Sequence, residues 1–188
     1  MKAKLIGGLL VLAGGGTLLV ASDRLDGFLG GWEGEGQNRV YADKLARGLP
    51  TVCKGLTRHI TDTPIVVGEI WPEAKCEGEE RKALTKVQLQ LIECFDQDPP
   101  QSVFDAATSH AWNVGVLSTC QSGAMRAWQA ELWQLGCQRI YMQDTGRPAW
   151  SYVKTGRRLA NGMPEYKFVQ GLANRRRAEY DLCVEDLQ

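Results

Sequence analysis

The sequence predicts an α+β fold: a small β-rich lobe, then a larger helical lobe, with a glycine-rich apolar helix in front of both. Three observations point there. The stretch from Leu5 to Ala21 carries no charged residue. Val40 to Leu56 is short and irregular, broken by Gly48 and Pro50, which is the pattern of hairpins and not of a helix. From Pro72 onward, apolar residues recur at helical spacing through most of the chain.

At the N-terminus, Lys2 and Lys4 precede the uncharged stretch and the next charge is Asp23. A positive flank favours insertion with that end inside. The stretch sits at the short end of the roughly 17–25 residues that a spanning helix needs. Gly7, Gly8, Gly14, Gly15 and Gly16 remove apolar surface, and each weakens a helix by about 1 kcal/mol relative to alanine. Residues 1–26 therefore read as a weak membrane anchor. A cleaved signal peptide fits less well, because Ala21 could end it but Leu19 stands where a second small residue is wanted.

Gly27 to Gly36, GFLGGWEGEG, reads as a turn-rich linker leading into a domain of residues 27–188. A helix is expected from Pro72 to Phe95, with Ala83, Val87, Leu91 and Phe95 on one face and Pro99-Pro100 ending it. Further helices are expected over Val103–Trp112, Gly123–Leu135 and Tyr166–Leu187, the last with Phe168, Leu172, Tyr180 and Val184 as its apolar positions. Gly146 to Pro164 reads as a loop.

With 188 residues, 44% of them hydrophobic, the chain can bury one core. Its 22 basic and 22 acidic residues cancel, so nothing in the totals points to a nucleic-acid partner. Arg157-Arg158 and Arg175-Arg176-Arg177 read as solvated helix faces. Trp112, Trp128, Trp133 and Trp150 read as core residues. The six cysteines are spread widely, which suits an exported, disulfide-bonded protein. Joining neighbours in sequence pairs Cys53 with Cys76, Cys94 with Cys120, and Cys137 with Cys183. There is no Cys-x-x-Cys spacing, and His59 and His110 lie far apart, so neither a metal nor another cofactor is expected. Neither histidine has the context of a serine or cysteine nucleophile.

The acids near the lobe boundary are Glu33, Glu35 and Asp43. Glycoside hydrolysis needs two carboxyls across a sugar, one protonated to serve the leaving oxygen and one ionised. A glutamate at a helix end facing a β-turn aspartate supplies such a pair when their environments push the two pKa values apart.

The wider pattern, Gly31-Trp32-Glu33-Gly34, Tyr41-Ala42-Asp43 and Pro50-Thr51-Val52-Cys53-Lys54-Gly55-Leu56-Thr57, resembles the phage T4-type lysozyme family, glycoside hydrolase family 24. Trp112-Asn113-Val114-Gly115 and Gly171-Leu172 with Arg175, Arg176, Glu179 and Cys183 extend the likeness in the same order. The resemblance implies a lysozyme-like fold and a muramidase. Such an enzyme cuts the β-1,4 bond between N-acetylmuramic acid and N-acetylglucosamine in peptidoglycan for host cell lysis. It implies Glu33 as general acid, Asp43 as base or electrostatic partner, and Thr51 as the residue holding the attacking water, since a hydroxyl can donate and accept at once. Glu33 lies one residue farther from Asp43 than the family interval and Glu35 one residue nearer; the apolar Trp32 before Glu33 favours Glu33. Lys44 to Arg47 lengthen the hairpin before Thr51. Trp32 can supply the apolar surroundings that raise an acid's pKa. Asn113 is expected to satisfy backbone groups near the lobe junction. The alternatives are a lytic transglycosylase, which needs no water-activating aspartate, and a non-catalytic peptidoglycan-binding module. The glycine-rich N-terminus resembles the signal-arrest-release anchor of some endolysins. That implies a monomer tethered to the host inner membrane and then released into the periplasm.

Overall fold

The structure is a computed structural model that describes residues 3–33, 37–43 and 48–187. It has a small lobe with one antiparallel sheet and a larger lobe of helices, as the sequence predicts, but its N-terminus differs. Where an anchor helix is expected, the chain forms three antiparallel strands, β1 (Ala3–Ile6), β2 (Leu9–Leu12) and β3 (Thr17–Leu19). The glycines explain this. Gly7 and Gly8, at φ 54° and 83°, form the two-residue turn of a tight hairpin. Gly15, at φ 90°, lies in the second turn, which the Leu12 amide closes on the Gly16 carbonyl at 2.9 Å. Strand alternation then buries Leu10, Leu12 and Leu18 in the core of the helical lobe and leaves Leu5, Leu9 and Leu19 outside. Each buried leucine contributes roughly 1.5–3 kcal/mol, which a glycine-weakened helix in water would forgo. Among the described residues no helix is long and apolar enough to cross a membrane.

Helix α1 (Asp23–Glu33) replaces most of the expected linker and runs through residue 26. Ser22 caps it, its hydroxyl accepting the Leu25 amide at 3.1 Å. Asp23 and Asp26 suit its positive end, and Leu25 and Leu29 bury one face. Capping and packing together outweigh Gly27, Gly30 and Gly31.

The small lobe holds β4 (Gln37–Asp43), β5 (Leu49–Cys53) and β6 (Leu56–Thr57), paired in that order. Its core is Val40, Val52, Leu56 and Trp71, with Cys76 and Ala83 from the next helix. That helix, α2 (Glu73–Ile92), and α3 (Gln101–Val114) fall where the periodicity predicts. Helix α3 is buried along most of its length and forms the centre of the large lobe.

A short α4 (Val116–Cys120) follows. The single helix expected over Gly123–Leu135 is two, α5 (Gly123–Gln129) and α6 (Trp133–Tyr141). The break lies at Glu131, φ 58°, where the Leu132 amide turns back to the Ala127 carbonyl. Gly136 is needed there, because a Cβ would fall 2.2 Å from the buried Trp128 ring. The loop expected over Gly146–Pro164 contains β7 (Tyr152–Arg158), which pairs with β8 (Pro164–Phe168). The last helix, α7 (Gln170–Cys183), therefore begins after Tyr166, and a 3-10 turn (Glu185–Leu187) follows it. The three disulfides join Cys53–Cys76, Cys94–Cys120 and Cys137–Cys183, the pairing of sequence neighbours.

Candidate active site

Strand pairing sets the geometry of the small sheet. Tyr41 lies opposite Thr51 and Asp43 opposite Leu49, while Thr51 also faces Thr57 on β6. Directly paired residues share a face and alternate residues return to it. Tyr41, Asp43, Thr51 and Thr57 thus occupy one face, and Val40 and Val52 point the other way into the small core. Asp43 and Thr51 are diagonal neighbours, an arrangement with spacing of ~7–8 Å. The Gly48 amide returns to the Asp43 carbonyl at 2.6 Å and closes the hairpin; the Lys44–Arg47 insertion itself lies outside the described residues.

Thr51 is buried, and its hydroxyl donates to the Leu49 carbonyl at 3.1 Å. With its proton committed to the backbone, the oxygen keeps lone pairs for accepting a bond from water. Glu33 is the last residue of α1. Glu35 lies outside the described residues. Trp32 is 36% exposed and packs on Phe28, one turn back along α1.

The lobes meet at Trp112, near the end of α3, which packs against both the large and the small core. Beside it lies a hollow of about 570 Å³ between α1, the β5–β6 turn and the first turns of α2. Asp26, Lys54, Glu80 and Arg81 bring charge to its walls. Arg81 pairs with Asp26 at 3.5 Å and Lys54 with Glu80 at 3.6 Å. Burial raises the Asp26 carboxyl, and Arg81 opposes that. Nothing in the sequence marks Asp26, since an acid in the first turn of a helix is ordinary; only its place in the hollow does.

Arg175 and Arg176 are not a solvated face. Both are buried, with only Arg177 exposed and paired with Asp181. Arg176 donates to Glu179 at 2.8 Å and to the Asn113 side chain at 3.1 Å, and Arg175 approaches Glu179 at 3.4 Å. Ser109 of α3 donates to the same Glu179 oxygen at 2.9 Å. Asn113 thus serves a guanidinium in place of backbone groups, and the cluster fastens α7 to the end of α3 near the lobe junction. Burial pushes the Glu179 carboxyl up against the pull of Arg176. Burial, with Arg176 and Arg175 nearby, pushes His110 well below the ordinary histidine range. Its Nδ1 meets the Thr119 hydroxyl at 2.9 Å, and its ring packs edge-on against Trp150, which is 37% exposed. Trp128 is fully buried, as expected of a core tryptophan. The Arg-Arg-x-x-Glu spacing carried the signal for the cluster, since helical neighbours three and four residues apart meet.

Helix α1 thus ends on a glutamate, and one face of the small sheet carries an aspartate and a buried threonine. A rigid charged cluster lies behind the lobe junction. Comparison with protein families matches residues 31–179 to the family described as phage lysozyme, a span that begins after the N-terminal sheet. In fold the chain is similar to an endolysin from Escherichia coli O157:H7 phage FAHEc1, with TM-score 0.69 and 20% identity over 88% of this chain and 93% of that one. The muramidase domain of SpmX from Asticaccaulis excentricus gives TM-score 0.66 at 18% identity, over 88% and 97%. The active form of the P1 phage endolysin Lyz gives 0.65 at 20%, over 90% and 88%. Among curated protein sequences nothing matches.

Proposed function

The chain belongs to the phage lysozyme family, and on that premise we propose that it is a muramidase hydrolysing the β-1,4 bond between N-acetylmuramic acid and N-acetylglucosamine. The observation that carries the reading is the shared sheet face of Asp43 and Thr51, in a chain whose helix α1 ends on Glu33. In the proposed reaction Glu33, protonated, gives its proton to the glycosidic oxygen as the bond to C1 breaks. Water, accepted by the Thr51 oxygen and deprotonated by the Asp43 carboxylate, attacks C1 from the opposite face. Such an inverting arrangement has carboxyls about 6.5–9.5 Å apart.

The test measures release of reducing ends from purified peptidoglycan. Glu33→Gln should abolish it without altering thermal unfolding, because the amide keeps the volume but has no acidic proton to give. An active Glu33→Gln with an inactive Glu35→Gln moves the acid to Glu35. Activity in both variants ends the glycosidase reading, and anhydro-sugar products would make the enzyme a lytic transglycosylase.

The same proposal assigns lysis of the host. Residues 1–26 first sit in the inner membrane, then leave it, and the monomeric enzyme works in the periplasm with β1–β3 docked. The lysine flank, the absence of charge from Leu5 to Ala21 and the glycine-weakened insertion support this. Fractionation of expressing cells before and after collapse of the membrane potential tests it: the chain should pass from the membrane to the soluble fraction.

A further inference from the structure

The β7–β8 hairpin takes no part in the chemistry proposed above, and neither strand packs extensively on any other element. Between Tyr152 and Phe168 it carries Lys154, Arg157, Arg158 and Lys167 against the single acid Glu165, in a chain whose 22 basic and 22 acidic residues cancel only with the hairpin included. None of the four basic residues makes an ion pair among the described residues. Glu165 is occupied by the Thr155 hydroxyl at 2.6 Å.

At the tip, Leu159 and Met163 are 49% and 60% exposed. The Leu159 amide donates to the Met163 carbonyl at 2.8 Å, which sets the two side by side. Arg158 donates to the Gly162 carbonyl at 2.7 Å, so the tip is braced. Behind it stand Arg157 and Arg158, and one step further Lys154 lies opposite the exposed Tyr166. At the hairpin's base a hollow of about 640 Å³ continues the basic and aromatic surface with Arg126, Arg147 and Trp150, beside Arg139, which is paired with Asp144 at 3.0 Å.

Apolar tip, arginine collar and aromatic shoulder follow the order in which a bilayer presents acyl chains, phosphates and headgroups. We propose that this hairpin docks on the surface of an anionic phospholipid bilayer, with Leu159 and Met163 entering the acyl boundary and the basic residues facing lipid phosphates. A soluble or wall-bound polyanion would satisfy the charges but give the exposed leucine and methionine nothing. The inference does not depend on whether the chain cleaves glycan.

The test uses the full chain and sedimentation with phosphatidylglycerol–phosphatidylcholine vesicles, with pure phosphatidylcholine vesicles as the control. Binding should require the anionic lipid. Arg157→Ser with Arg158→Ser should weaken it about tenfold or more, and Leu159→Ser with Met163→Ser should weaken it several-fold. All four side chains are exposed, and Arg158 gives up only a bond within the hairpin tip, so thermal unfolding and hydrolysis of purified peptidoglycan should stay at the parent level. Full vesicle binding by the tip variant overturns the proposal: loss in the arginine variant alone would assign the surface to a phosphate polyanion, and retention by both would assign the binding to the N-terminal segment.

Discussion

The carboxylate of Asp98 accepts the Gly16 amide at 3.0 Å while the same oxygen lies 2.7 Å from where a Cβ on Gly16 would stand. A Cβ on Gly14 would meet it at 2.6 Å. The acid thus packs closely against a turn built of glycines. The residues that make Leu5–Ala21 a poor membrane helix are the ones that let it dock as a sheet.

Gly16→Ala should therefore push the Asp98 carboxylate aside and lower the stability of the folded protein by about 1 kcal/mol, the worth of the bond it loses. Leucine at positions 14, 15 and 16 should also favour membrane insertion by a few tenths of a kcal/mol per position. Thermal unfolding of the soluble protein and fractionation of expressing cells read the two effects. An unchanged melting temperature for Gly16→Ala would contradict the docking geometry.

For the catalytic reading, Asp43→Asn should reduce turnover about 10²–10⁴-fold, the usual contribution of a general base. Thr51→Val should reduce turnover too, while Thr51→Ser restores most of it, because the hydroxyl oxygen and not the methyl group meets the water. Rates on purified peptidoglycan, with melting temperatures measured in parallel, separate this role from a packing role. Equal activity in the valine and serine variants would remove Thr51 from the mechanism.

Glu179→Leu leaves Arg176 buried without its carboxylate and should cost about 3–5 kcal/mol. Adding Arg176→Met should recover part of that loss, since it removes the guanidinium left without its carboxylate while Arg175, Ser109 and Asn113 keep polar groups there. Urea unfolding of the single and double variants measures the coupling. Additive losses would mean that the pair does not act as a unit.

Glu79 accepts bonds from Lys82 at 2.9 Å and Thr61 at 2.7 Å, which hold its carboxyl at about 2, below the ordinary 4.5. A carboxyl lowered by folding contributes stability that is complete above 4.5 and lost as pH falls toward 2. Glu79→Gln should destabilise the protein at neutral pH and flatten the decline of melting temperature across that acid window. A variant whose acid limb matches the parent would show that Glu79 does not drive it.

Helices α2 and α3 were legible because their apolar spacing repeats over several turns and prolines mark their ends. The disulfides followed from proximity along the chain. The N-terminal sheet was harder, since Leu9 to Leu12 is apolar on both faces by sequence and only the glycine clusters at either end hint at turns. The β7–β8 hairpin hid because its strands are mostly exposed and lack the apolar alternation of a half-buried strand; Asn161-Gly162 at its tip was the available signal. At the candidate site, ordered motifs pointed to Glu33, Asp43 and Thr51. The Arg-Arg-x-x-Glu spacing showed that these side chains meet on one helix, but their burial depends on Ser109 and Asn113, which are distant in sequence.

All three disulfides close between Cys53 and Cys183. Residues 1–52 hold no cysteine, so β1–β3 sit on the cross-linked body without a disulfide of their own, through packing and contacts such as the Gly16 amide on Asp98. Undocking the sheet would break no sulfur–sulfur bond. Its occupancy is an intramolecular equilibrium, independent of protein concentration. Temperature and denaturant move that equilibrium; a thiol reagent does not, so long as the body beneath it stays folded.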